Sequence, residues 1–212
     1  VLVKTLDETD AADTPEPLLQ LPVDAALWLA SELAHGLPNA DALLQRVLVS
    51  LSDAAAERVG PSYRIFPSPR EVAFNEMEYE VPVDNGPDCL MEIIDTVRAS
   101  DIRTLFPIEY RHVAAESAWL SPFHQQACAA ISIHQYWQVD YRPLFALVEP
   151  VLQRHGGRPH WGKLHSLDAA GLAARYPRWT DFQRLRRQLD PSGKMLSPAL
   201  RNWFGEAGHE TT

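Results

Sequence analysis

The stretch Arg158-Pro-His-Trp-Gly-Lys-Leu-His165 gathers imidazoles, a lysine, an arginine and an indole within a few residues, beside Gly157 and Gly162. Pro159 removes a backbone donor and disfavours helix in the residue before it, so the stretch is expected to be an irregular loop. Glycines that let a ligand approach the backbone, next to a cation (Lys163) and an aromatic wall (Trp161), are materials for a small-molecule pocket. The plainer reading is a helix connection in which Trp161 plugs the core and Lys163 is solvated.

A second concentration lies in Phe106-Pro-Ile-Glu-Tyr-Arg-His-Val113. Read as a strand, it points Ile108, Tyr110 and His112 one way and Glu109, Arg111 and Val113 the other. Glu109 and Arg111 thus share a face, and such a pair, if buried, marks a functional site more often than a surface pair does. Cys128 to Trp137 also alternates, placing Ser132 and His134 on one face of another strand; a lone histidine there is ordinarily structural. Val72, Phe74, Glu76, Glu78 and Glu80 alternate with Ala73, Asn75, Met77, Tyr79 and Val81, which reads as a further strand. Its glutamates resemble a metal trap, but the favoured reading is the solvated face of an ordinary sheet.

Helices must position these strands. Asp24 is placed to cap a helix through His35, ended by Gly36-Leu-Pro38, and Asn39 or Asp41 to start a second with Leu44, Val47, Leu48 and Leu51 on one face. Both read as packing elements. After Gly60-Pro61, the prolines in Arg64-Ile-Phe-Pro-Ser-Pro69 predict an extended segment. Pro87 opens a helix over residues 88–99 with Leu90, Ile93, Ile94 and Val97 as its core stripe. Residues 118–122 are expected to form a turn. A helix over residues 141–155 stops at Gly156-Gly157. Residues 167–174 and 177–189 are helical, Asp190-Pro-Ser-Gly193 is a turn, and residues 200–204 form an apolar plug.

Composition narrows the possibilities. The chain has 212 residues, 46% of them hydrophobic, and a net charge of −9. It is long enough to bury a core. Its acidity argues against a nucleic-acid partner, since phosphate binding needs a basic surface. No run of eighteen apolar residues reads as a membrane span, and no signal segment opens the chain. Cys89 and Cys128 fit neither a zinc pattern nor a disulfide framework, which favours a reduced, cytoplasmic setting. The chain starts at Val1, as a processed product or the C-terminal part of something longer would. Residues 1–17 are acidic and proline-spotted, and an extended or disordered lead-in is expected there.

Phe74-Asn-Glu-Met-Glu-Tyr-Glu-Val-Pro82, Glu109-Tyr-Arg111, Trp119-Leu-Ser-Pro122, Pro159-His-Trp-Gly-Lys163 and Tyr176-Pro-Arg-Trp-Thr-Asp-Phe182 with Leu189-Asp-Pro191 together resemble one family. It is the sugar-1,4-lactone and alditol oxidases, flavoenzymes of the vanillyl-alcohol-oxidase type related to D-arabinono-1,4-lactone oxidase. The resemblance runs from about Tyr63 to Gly205, in order, and is to the C-terminal region of those enzymes. It implies an α+β fold: an antiparallel sheet with helices packed mainly on one face, the cap domain over residues 1–212. It also implies that Glu109, Arg111 and Lys163 surround the sugar and the reactive edge of the flavin as catalytic residues. Ser132, His134, His160 and Trp161 would bind substrate. In alditol oxidases of this family a histidine and a threonine line the pocket, and the aligned positions here are Ser132 and His134. That swap leans from an acyclic polyol towards a lactone.

The family's N-terminal half binds FAD, and nothing here resembles it. Gly156-Gly157 follow a helix instead of opening one, so they are no dinucleotide fingerprint. The expectation is a substrate-binding half whose FAD-binding domain lies in cis or in a separate chain, inactive by itself. Two alternatives stay open: an orphan domain binding a sugar or a protein, and a metal hydrolase using Glu76, Glu78, His112 and His134.

Overall fold

Strands and helices fall where hydrophobic periodicity changes. In a computed structural model the described residues are 3–5, 7–14, 23–37, 40–52, 59–66 and 72–206. They divide into two units: residues 1–75, 103–106 and 135–141, and residues 76–102, 107–134 and 142–212.

The first unit holds α1 (Val23–Gly36), α2 (Asp41–Ser52) and the single turn α3 (Ser62–Ile65). Its core joins Val72, Phe106 and Tyr136, with Leu27, Phe74 and Val139 packed against them. The Tyr136 hydroxyl donates to Glu32 of α1. Here α3 corrects the expectation of an extended segment at Arg64. Pro61, with ψ of 140°, stands just before the turn and leaves its successors free to coil. Pro67 and Pro69 lie outside the described residues, as do Pro38, Asn39 and the side chain of Asp24. Residues 7–14 carry no helix or strand, yet Thr14 exchanges two hydrogen bonds with Val59, both 2.8 Å.

The second unit carries most of a four-stranded antiparallel sheet in the order β2-β3-β1-β4. The strands are β1 (Phe74–Pro82), β2 (Glu109–Val113), β3 (Cys128–Tyr136) and β4 (Arg158–Pro159). The β1–β3 ladder is bounded by Val83 N–H to Ala127 C=O at 3.1 Å and Trp137 N–H to Ala73 C=O at 3.3 Å, which makes that pair antiparallel. β2 sets Glu109 against Ser132 and Arg111 against Ala130. β4 sets Arg158 against Glu80. The expected irregular loop therefore begins as a strand: Pro159 sits at a sheet edge, where its missing donor costs no ladder bond.

Helices α4 (Gly86–Arg98) and α5 (Arg142–Arg154) pack on one another, and α5 meets the odd-numbered face of β1 at Tyr79. Tyr79, fully buried there, donates to Glu149 of α5 at 2.5 Å. Gly156, at φ +81°, ends α5 as a left-handed stop. The short helices α6 (Ala169–Ala173), α7 (Trp179–Leu189) and α8 (Pro198–Trp203) follow. The architecture is α+β.

Gly86 is the tightest point between α4 and the sheet. A Cβ there would lie 2.4 Å from the Tyr110 hydroxyl and 2.6 Å from the Ala129 Cβ. Gly86→Ala is expected to lose about 1–3 kcal/mol through overpacking. Urea unfolding that leaves the midpoint unchanged would show that the contact yields freely.

Candidate functional site

The even-numbered face of β1 bears Glu76, Glu78 and Glu80, and the expectation of a solvated row is wrong. Glu78 is 6% exposed and Glu80 fully buried. β1 lies between β3 and β4, not at an edge, so both of its faces can be covered.

Each carboxylate is met differently. Glu76 takes Lys163 on one oxygen and faces His134 Nε2 at 3.5 Å with the other. The second His134 nitrogen, Nδ1, lies 3.3 Å from the Pro107 carbonyl. Burial by itself would raise the Glu76 carboxyl. Hydrogen bonds and charge from His134 and Lys163 outweigh it and bring the group down to about 2. Glu78 accepts from Arg111 at 2.9 Å and from the Ser132 hydroxyl at 2.7 Å. Arg111 also donates to Ser132 at 2.9 Å and lies 3.9 Å from Glu109. Its nearest carboxylate is thus Glu78 rather than its own strand neighbour. Neither Glu80 oxygen has a hydrogen-bond partner among the described residues. Burial, then the charge of Glu78, push this acid up to about 8.

The geometry brings Glu109, Arg111, Ser132, His134 and Lys163 onto one face, linked through Glu76 and Glu78. Arg111 is the open member, its side chain half exposed. The sequence shows the two linking carboxylates as alternate residues of one strand, but not that this strand pairs with the one bearing Ser132 and His134. His160 and Trp161 are placed elsewhere. They line a cavity of about 500 Å³ with Glu116, Trp119, Phe123 and Phe182, and none of the five network residues lines it. Trp161 packs among Tyr176, Trp179, Trp203 and Phe204, and its indole N–H donates to the Leu120 carbonyl at 2.7 Å. The core plug and the cavity wall are the same residue. Among the described residues no group of three or more His, Cys, Asp or Glu is placed to hold a metal ion. No described helix is long and apolar enough to cross a membrane.

The chain matches the family model for D-arabinono-1,4-lactone oxidase over residues 7–203. It is 32% identical over 209 residues to an L-gulono-1,4-lactone dehydrogenase of Mycobacterium tuberculosis, covering 96% of this chain and 49% of that protein. An alditol oxidase of a Streptomyces species is 36% identical over 145 residues, 67% of this chain and 34% of that protein. An L-gulonolactone oxidase of Scyliorhinus torazame is 30% identical over 183 residues, 84% and 41% respectively. The chain spans about half the length of the first of these relatives and less of the others.

The two displaced carboxyls give opposite pH slopes. Glu76, lowered from 4.5 to about 2 on folding, stabilises fully above 4.5, and that contribution is lost as pH falls towards about 2. Glu80, raised from 4.5 to about 8, contributes fully below 4.5 and loses its contribution as pH rises through about 8. Urea midpoints measured against pH should therefore show Glu80→Gln gaining on the wild type between 4.5 and 8. Glu76→Gln should converge with the wild type as pH falls from 4.5 towards 2. Parallel curves for either variant would remove that assignment.

Proposed function

The chain belongs to the D-arabinono-1,4-lactone oxidase family, and on that premise we propose that it is the substrate-binding half of an FAD-dependent oxidoreductase acting on a sugar lactone or polyol carbinol. The observation that carries this reading is the clustering of Arg111 and Lys163 on one sheet face with Glu109, Ser132 and His134. A lactone is favoured over an acyclic polyol by Ser132 and His134. The partner is an FAD-binding domain, in cis or as a separate chain. A cytoplasmic setting belongs to the same proposal, supported by the buried free thiols Cys89 and Cys128.

The described residues do not fit a dinucleotide cradle. The adjacent glycines close α5 instead of opening a helix, and a Cβ on Gly157 would meet the Leu152 carbonyl at 2.6 Å. The flavin, where bound, supplies the hydride acceptor, and the protein supplies position and polarity.

For this chain the task is the substrate oxygen. A carbinol carbon loses hydride only as its hydroxyl proton also leaves, so charge must be stabilised at that oxygen. Arg111 and Lys163 are fixed donors, the first held by Glu78 and Ser132 and the second by Glu76. Donors fixed beforehand stabilise developing charge without reorganisation. Glu109, the most exposed carboxylate of the network, accepts from a neighbouring substrate hydroxyl. His134 is almost wholly buried and acts by shaping the wall.

Lys163→Met in the flavin-loaded enzyme is expected to lower kcat by about 10²–10³, the usual cost of one preorganised donor. Its thermal midpoint should fall as well, since Glu76 loses one of the two groups that hold it charged, so turnover is compared well below that midpoint. Unchanged turnover would overturn the role of Lys163. The 212-residue chain alone is expected to be colourless and inactive; flavin absorbance near stoichiometry in the purified chain would contradict that.

A further inference from the structure

We infer that Glu76 is the positioning residue of this site, a single carboxylate that fixes Lys163 of the loop and His134 of β3 relative to each other. The inference rests on the functional reading above and adds to it a residue that does not itself reach substrate.

The geometry is specific. One Glu76 oxygen takes the Lys163 ammonium, and the other faces the His134 imidazole at 3.5 Å. Its side chain is 12% exposed against 29% for that of Lys163, so the carboxylate lies beneath the ammonium it holds. The backbone of the same residue contributes too. The Glu76 carbonyl accepts from Leu164 N–H at 3.0 Å, tying down the residue that follows the lysine. Lys163 N–H closes a tight turn onto the His160 carbonyl at 3.1 Å. Position 76 thus clamps the loop through its main chain and aims the loop's cation through its side chain.

Among the described residues no other is placed to do both. Glu78 serves Arg111 and Ser132, and Glu80 is buried without a hydrogen-bond partner among the described residues. A carboxylate set against the ammonium holds it in a charge-assisted hydrogen bond. It also restricts a long flexible side chain to one direction. Gln at position 76 keeps the shape and loses the charge. Asp keeps the charge and shortens the reach by one methylene.

The chain offers a direct readout, because its lysines are Lys4, Lys163 and Lys194 alone. Limiting acylation of the full chain near neutral pH, quantified by peptide mass spectrometry, reports Lys163 against the other two as internal references. In Glu76→Gln, Lys163 labelling is expected to rise about 10-fold as the amine is released from its ion pair, with Lys4 and Lys194 unchanged. Glu76→Asp should stay within about 3-fold of the wild type, since the charge is retained. In the loaded enzyme, Glu76→Gln should lower kcat about 10-fold or more with KM changing less, and Glu76→Asp should recover part of kcat. Equal Lys163 labelling in wild type and Glu76→Gln would overturn the inference, as would an Asp variant labelled like Gln. The labelling involves neither flavin nor turnover. It therefore fails or succeeds independently of Lys163→Met, whose unchanged kcat would overturn the functional reading alone.

Discussion

A carboxylate carried into a protein interior must be met by donors or surrender its charge. Strand β1 carries three on one face, and the second unit is organised around how each is answered. Glu76 is met by Lys163 and His134, and Glu78 by Arg111 and Ser132. Glu80, without a side-chain hydrogen-bond partner among the described residues, is driven by burial and by Glu78 towards the neutral acid. Along one strand the solution passes from ion pair to protonation. In the proposed function, the cations that answer the first two glutamates are the groups that act on a substrate oxygen.

The register of the sheet makes this possible. A slip of one residue would turn every glutamate to the helix side and every apolar partner outward. That slip is opposed by Tyr79, which is buried on the opposite face with its hydroxyl on Glu149. β4 is only two residues long, but it pairs Arg158 with Glu80 and starts the following loop alongside β1. From there His160 N–H bonds the Glu78 carbonyl at 3.0 Å, and Leu164 N–H bonds that of Glu76 at the same distance. The loop is laced to the strand whose side chains it serves. Lys163 is placed by main-chain bonds.

Much of the fold was legible because local patterns and tertiary structure agree. The alternations at Phe74–Pro82 and Cys128–Tyr136 became strands, and the stripe of Leu90, Ile93, Ile94 and Val97 became α4. Strand order was not legible, and the errors follow from it. Without knowing that β1 is internal, a row of glutamates reads as a solvated face. Without knowing that β3 separates β2 from β1, Arg111 reads as the partner of Glu109. Arg111 instead lies opposite Ala130, whose methyl is small enough for the guanidinium to reach across β3 to Glu78. Neighbours two apart on one strand diverge with the pleat and twist, whereas groups facing each other across strands converge.

The loop that concentrates the chemistry divides its labour residue by residue. Trp161 commits its ring to the aromatic cluster around Tyr176 and Trp179 and its N–H to the Leu120 carbonyl. That commitment gives the loop a rigid foot in a segment otherwise rich in rotatable backbone. Gly162 follows, its N–H on the His160 ring at 3.0 Å, and turns the chain sharply. Lys163 comes next and meets Glu76. An indole anchored on one side and an ammonium held on the other fix the loop at both ends of a three-residue span, so the cation sits at a set height above the sheet. The plain reading of Trp161 as a core plug and the functional reading of Lys163 are therefore compatible. The first is what makes a lysine on a glycine-containing loop rigid enough for the second.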